Sequence, residues 1–218
     1  MLDAFLRRQE IDILLAQEVT YYVLNDFQRY TTQYNIGANR RGTAIVARDG
    51  INLDNTIMSP SGRDMAAKFR EIWIINLYAL SGTAMKQEGE RFFNSELPYL
   101  LIGETGHILL GGDFNCILEA SDTTGGFIYG QALAELVHDL TLTDNWQGNP
   151  KRKVYTHHSA FGATRIDRIY ATRKLLEKKL RMKSILAPFT DHLAVCPGIS
   201  IDLPIMRRVR GLWKWTAL

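Results

Sequence analysis

Short apolar runs, each closed or broken by a small polar set, recur along this chain, and they limit what it can fold into more than any other feature. Ala16-Gln17-Glu18 ends one run, Asn76-Leu77-Tyr78 ends a second, Arg165-Ile166-Asp167 interrupts a third and Thr190-Asp191-His192 precedes a fourth. Short apolar runs bounded this way fit strands buried on both faces. The chain therefore has to build sheets whose ends carry carboxylates, amides, a phenol and an imidazole. The richest stretch is His107 to Asn115, HILLGGDFN. Ile108, Leu109 and Leu110 read as a buried strand, and Gly111 and Gly112 are expected to turn the backbone tightly and deliver Asp113 and Asn115 to a surface. Asp113 can accept a proton or orient a water, and Asn115 offers both a donor and an acceptor. An Asx-type turn would account for GD and FN equally well.

Between these runs the periodicity alternates. Leu2, Phe5 and Leu6 have helical spacing before the apolar run Ile11 to Ala16, so Glu18 is expected just past a strand. Strands are expected at Tyr30 to Tyr34 and Thr43 to Arg48, joined by a hairpin turn at Asn39 to Gly42, then at Leu53 to Met58, Met65 to Phe69 and Ile72 to Tyr78. Phe92, Phe93, Leu97, Leu100 and Leu101 predict a helix over about 86–102 despite Pro98, and Leu133, Leu136, Val137 and Leu140 predict one over about 131–140. Strands return at Val154 to Thr156, Ile166 to Ala171, Met182 to Ala187 and Leu193 to Cys196. With no repeat or flexible linker in 218 residues, this is one α/β domain of packed sheets covered by helices.

Charge is unevenly spread. Residues 1–149 hold 11 Lys and Arg against 19 Asp and Glu, and residues 150–218 hold 15 against 4, so a net charge of +3 conceals a basic C-terminal third. That bias suits a phosphate-rich partner such as nucleic acid, or else marks a solvated basic helix at Arg173 to Lys183 balanced by the acidic part. The two cysteines, Cys116 and Cys196, have no metal-ligand spacing and read as reduced thiols. No run reaches the roughly 18 apolar residues of a membrane span, so a soluble intracellular protein without a membrane partner is expected.

Taken in order, QE, NLY, GDFN, RID and TDH resemble the endonuclease/exonuclease/phosphatase superfamily, which includes apurinic endonucleases, sphingomyelinases and inositol polyphosphate phosphatases. The resemblance implies a four-layer α/β/β/α sandwich of the exonuclease III/DNase I-like kind. It also implies phosphodiester hydrolysis with Mg2+ as cofactor, Mn2+ being an alternative. No His/Cys cluster at ligand spacing supports zinc. On this resemblance Glu18 and Asp191 hold the metal, Asp113 activates water, and Asn115, Tyr78 and His192 stabilise the phosphate, with Asp167 orienting His192. Standing alone, Glu18 reads as well as a surface or capping carboxylate, and His192 as a histidine at the start of a strand. Leu80 stands where the family usually has a proline. The family's first strand, which ends in an asparagine near the metal, has no counterpart before Met1, so an open central gap and weak activity are expected.

The tail narrows the resemblance. Arg210-Gly211-Leu212-Trp213-Lys214-Trp215-Thr216-Ala217-Leu218 and the motif TRIDRIY are similar to the apurinic-like endonuclease domains of LINE-type, non-LTR retrotransposons, with Thr216 replacing the usual asparagine. A tryptophan-rich tail packed on the domain is the alternative. The resemblance implies residues 1–203 as the endonuclease domain and 204–218 as the start of a linker towards a reverse transcriptase in the same polyprotein. It further implies a nuclear location and double-stranded DNA as partner. Loops with Asn39, Arg40 and Arg41, and with Lys151 to His158 including Arg152, together with Arg165, are the candidates for DNA contact. A repair-type apurinic endonuclease and a catalytically dead DNA-binding remnant are the competing readings.

Overall fold

Successive residues of Ile13-Leu14-Leu15-Ala16 face different cores, and that alternation sets the layers of the molecule. The computed structural model describes residues 2–24, 27, 30–82, 86–100, 106–126, 129–146, 154–188, 190–201 and 213–217, of which 23–24, 179–181 and 213–217 are described by their backbone. Strand β1 (Ile13–Val19) sends Ile13 and Leu15 into a cluster with Met65, Ile74, Leu109 and Ile169, while Leu14 and Ala16 join Leu6, Ala44 and Val46 beneath helix α1 (Leu2–Gln9). Each of these leucine, isoleucine, valine and methionine side chains, fully buried, contributes about 1.5–3 kcal/mol.

The turn α2 (Tyr21–Leu24) is followed by the hairpin β2 (Tyr30–Ile36) and β3 (Gly42–Arg48), then the meander β4 (Asp54–Met58), β5 (Asp64–Phe69) and β6 (Ile72–Tyr78). Helix α3 (Lys86–Arg91) passes through a π turn (Phe92–Glu96) into α4 (Leu97–Tyr99). Next come β7 (His107–Asp113), α5 (Gln131–Asp139) and β8 (Leu142–Asp144), the small hairpin β9 (His157–Ser159) and β10 (Gly162–Thr164), and then β11 (Asp167–Thr172), α6 (Arg173–Glu177), β12 (Lys179–Leu186), β13 (Leu193–Ile199) and β14 (Trp213–Ala217). One six-stranded sheet has the order β12-β13-β14-β1-β3-β2 and the other β4-β5-β6-β7-β11-β8. Phe92, Phe93, Leu97, Leu133 and Leu136 cover the second sheet through Trp73, Ile75, Leu110 and Tyr170, which completes the four layers. Among the described residues no helix is long and apolar enough to cross a membrane.

Several local expectations change. The helix expected over 86–102 is described to Tyr99 and widens at Phe92–Glu96, where the Leu97 N–H bonds back to Phe92 O five residues earlier. Pro98 has no N–H to carry a regular ladder forward, and residues 101–105 lie outside the described ones. Val154 to Thr156 is not a strand; pairing begins at His157. The basic stretch Arg173 to Lys183 is not one helix either, but the short α6 followed by edge strand β12.

The largest change concerns the centre of the first sheet, where an open gap was expected. β14 lies between β1, to which it runs parallel, and β13, to which it runs antiparallel. Residues 213–217, which fall in the stretch expected as the start of a linker, thus contribute a central strand to the domain's own sheet. Asn76, fully buried on β6, ties the two sheets together. Its amide donates to Ala16 O at 2.9 Å and Ala44 O at 2.8 Å, and its oxygen accepts from Gln17 Nε2 at 2.5 Å. Asn76 is thus the clamp of the rim above which the polar residues gather.

Candidate active site

Backbone pairing alone lines up the central polar residues. Tyr78 on β6 is the register partner of Asp113 on β7, and Asp113 is the partner of Asp167 on β11. Gly111 and Gly112, expected to form a turn, lie inside β7. At Gly112 φ is +146°, and a Cβ there would sit 1.9 Å from Leu77 O. Only glycine lets β7 approach β6 this closely, which fixes Tyr78 beside Asp113. Asp113 then ends the strand, and its carboxylate accepts from Asn115 N at 2.9 Å and Asn115 Nδ2 at 3.2 Å. Asn115 is left-handed at φ +49° and also donates to Ala79 O at 2.9 Å.

Glu18 arrives by a different device. It lies within β1 rather than past it, at a register irregularity between Ala16 and Val19 and with φ +55°. A bulge of this kind re-aims one side chain at a sheet end. The Glu18 carboxylate accepts from the Tyr78 hydroxyl at 2.8 Å and pairs with Arg41, so Arg41 from the β2–β3 turn reaches the site itself. Asn39 Oδ1 accepts from the Arg41 N–H at 3.1 Å and shapes that turn, and Arg40 is exposed in it.

His192 closes the row, with Nδ1 2.9 Å from Asp167 Oδ2 and 3.1 Å from Oδ1. Asp113, Asp167 and His192 each place one ligand-capable atom within 4.8 Å of the others. Asp191 is exposed and lies by His157 instead, its Oδ2 3.8 Å from His157 Nε2. Buried Thr156, which lies in the Lys151 to His158 stretch read as a candidate for DNA contact, instead joins the segments carrying Asp167 and His192. Its hydroxyl accepts from Asp167 N at 3.1 Å, and its carbonyl accepts from Leu193 N at 2.7 Å. Only its place just before the two histidines of THHS singles it out in sequence.

Arg165 is a correction. It was a candidate for DNA contact, but it is buried with Nε 2.9 Å from Asp122 and Nη1 2.6 Å from Asp144, while Arg168 Nη2 lies 3.1 Å from the same Asp122. A guanidinium held between two buried carboxylates faces the interior and not a phosphate, and removing it would strip Asp144 and Asp122 of a charge partner, Asp122 keeping Arg168. Lys151 and Arg152 lie outside the described residues.

The electrostatics follow from burial. Desolvation, then the adjacent Asp167, push Asp113 up to about 7, against the pull of His192. For His192 burial acts downward, but the bond to Asp167 and the charges of Asp167 and Asp113 outweigh it and raise the imidazole to about 9. Burial, then Glu18, raise Tyr78 to about 12, so it remains a hydroxyl donor. The row therefore sets a carboxylate near the pKa of an effective general base beside a cationic imidazole.

The sequence matches the Endonuclease/Exonuclease/phosphatase family over residues 1–192. The chain belongs to that family. Membership places it among nucleases and phosphatases, hydrolases of phosphate esters. A Xenopus laevis relative, the transposon TX1 uncharacterized 149 kDa protein, is 31% identical over 137 residues, covering 59% of this chain but 10% of its own length. Among solved structures, an AP endonuclease from Archaeoglobus fulgidus superposes with a TM-score of 0.79 at 19% identity, over 92% of this chain and 93% of that one. A 3'-5' exonuclease from Neisseria meningitidis gives 0.77 at 18% over the same shares, and the Xenopus laevis APE2 catalytic domain 0.73 at 17%, over 89% and 85%. At those identities the likeness establishes the exonuclease III-like fold of this family member.

Proposed function

We propose that this chain is the Mg2+-dependent endonuclease domain of a non-LTR retrotransposon, which acts in the nucleus and nicks double-stranded DNA to leave a 3′-hydroxyl that primes reverse transcription. The observation that carries the reading is the unbroken row Glu18, Tyr78, Asp113, Asp167 and His192 along one rim, in a chain related to a transposon protein. The oxygen and amide donors of Glu18, Asp113 and Asn115 suit a hard divalent ion such as Mg2+, or Mn2+, better than a soft one. Glu18 and, by resemblance, Asp191 would hold it, and such an ion supplies Lewis-acid polarisation of the phosphoryl oxygen.

The chain's own residues do the rest. Asp113, as carboxylate, takes a proton from water whose oxygen attacks phosphorus in line, and the bond to the 3′ oxygen breaks. Asn115, Tyr78 and the His192 imidazolium donate hydrogen bonds where negative charge grows, and Asp167 holds the imidazole in place. Arg40, Arg41 and Asn39 at the exposed β2–β3 turn are set to meet the DNA backbone. Phe161, 92% exposed at the tip of the β9–β10 hairpin, offers an apolar face to a base step.

The experiment is relaxation of supercoiled plasmid by the purified chain, with a parallel abasic-site duplex. Mg2+-dependent nicking of intact DNA, abolished by EDTA, is the expected result. Cleavage confined to the abasic duplex would make this a repair-type enzyme, and binding without cleavage would leave a DNA-binding remnant. The pH dependence is a second expectation. Asp113 must lose its proton and His192 keep its own, so kcat/KM should rise through about pH 7 and fall through about pH 9. Those limbs belong to the Asp113–Asp167–His192 cluster as a unit. A flat profile across that window would remove the acid and base assignments.

A further inference from the structure

The row described above does not use His157, yet this residue has one of the closest aromatic contacts in the described chain. The rings of His157 and His192 stand with centroids 4.7 Å apart at 46°. An isolated antiparallel bridge pairs the two residues across 35 positions of sequence, and the Leu193 N–H to Thr156 carbonyl bond beside it pins the crossing. Asp191 completes the group: one ligand-capable atom from each of His157, Asp191 and His192 lies within 4.8 Å of the others.

We propose that His157, Asp191 and His192 form a second cation site, selective for Zn2+-class ions, whose occupation takes His192 away from the phosphodiester. Two imidazoles and one carboxylate are a borderline donor set, which favours zinc over magnesium. Ligand atoms about 2.1 Å from a tetrahedral zinc stand roughly 3.4 Å apart. The 3.8 Å between His157 Nε2 and Asp191 Oδ2 is thus within half an ångström of a liganding distance. His192 is already oriented as a zinc ligand usually is, with Nδ1 against the Asp167 carboxylate and Nε2 left for the ion. His157 and His192 are partly buried while Asp191 is exposed, so an ion enters from the solvent side and keeps water as its fourth ligand.

Binding of the ion can be read without the proposed reaction, although Asp191 is shared with the set assigned above to Mg2+ by resemblance. The inhibition rests on that reaction, because a nitrogen bound to zinc has no hydrogen to give a phosphate. Co2+ titration of the purified 218-residue chain without DNA tests the site directly. One equivalent is expected to give the visible absorption of four-coordinate cobalt, displaced by Zn2+. His157→Asn and Asp191→Asn should each weaken binding by about tenfold or more, and Asp113→Asn should retain it. An unchanged titration in His157→Asn, or its loss in Asp113→Asn, overturns the site, the latter by moving the ion to the Asp113–Asp167–His192 cluster. In a second arm, the ratio of nicking with and without a small excess of Zn2+ over protein, in constant Mg2+, should fall about tenfold for the wild type and stay near one for His157→Asn. Equal ratios in the two proteins would refute the inhibition while the cobalt titration still decides the site.

Discussion

Replacing Asp113 by Asn is expected to lower Mg2+-dependent nicking by about a thousandfold, and replacing His192 by Ala by about a hundredfold to a thousandfold, with folding intact in both. Asp113 is 6% exposed, with desolvation as the main reason its proton is held up to about 7. An amide of the same shape relieves that desolvation but gives up one of the two bonds accepted from Asn115 and cannot take a proton from water, so Asp113→Asn should stay close to wild-type stability while losing the base. The pairing of β7 with β6 and β11 is made by backbone and is untouched. His192→Ala removes the imidazolium and leaves Asp167 buried and unpaired, so some stability goes with the activity. Initial nicking rates read beside urea midpoints separate the two effects. A double variant no slower than Asp113→Asn alone would show the two residues acting as a unit. Rates within threefold of wild type for either single variant would remove that residue from the mechanism.

Sequence reading reached the parts of this molecule written in local patterns. The ILLA and HILL runs declare strands because a strand covered on both faces has to be apolar throughout, and the positions of Asp113, Asp167 and His192 follow from where such strands begin or end. The failures are places where the deciding contact is distant in sequence or is an exception to regular geometry. Nothing in AQEV announces the bulge at Glu18, because a bulge depends on the partner strand and not on the residue that is pushed out. Gly111 and Gly112 read as a turn because glycine usually marks one; here Gly112 is demanded by the carbonyl of Leu77 on a neighbouring strand. Arg165 was counted with a basic, DNA-facing third although two acidic residues, Asp122 and Asp144, wait for it in the fold. The pairing of His157 with His192 was equally hidden, because a histidine cluster assembled across 35 residues has no spacing to recognise.

Removal of residues 202–218 is expected to abolish cooperative folding of the remaining chain. β14 is held on both sides, by Ile13, Leu14 and Leu15 of β1 and by Val195, Gly198 and Ile199 of β13. Withdrawing it strips backbone partners from two strands at the middle of a sheet, where water cannot replace them without entering the core. It also uncovers the layer to which Ile13, Leu15, Val195 and Ile199 belong. At about 1 kcal/mol for each lost hydrogen bond, and 1–3 kcal/mol for each group left buried and unpaired, the loss approaches the roughly 5–15 kcal/mol that holds a domain folded. Thr216→Pro probes the same strand without truncation, since proline in a central strand gives up its N–H and cannot pair on that side. Both variants should lose the sigmoidal urea transition and become susceptible to proteolysis within β1 and β13. A transition of unchanged midpoint and slope in the truncated chain would mean that the sheet closes without β14, β1 meeting β13 directly. That rearrangement would shift β1 by a strand's width, about 4.8 Å, and carry Glu18 away from Tyr78, so a stable truncated chain should still fail to nick DNA.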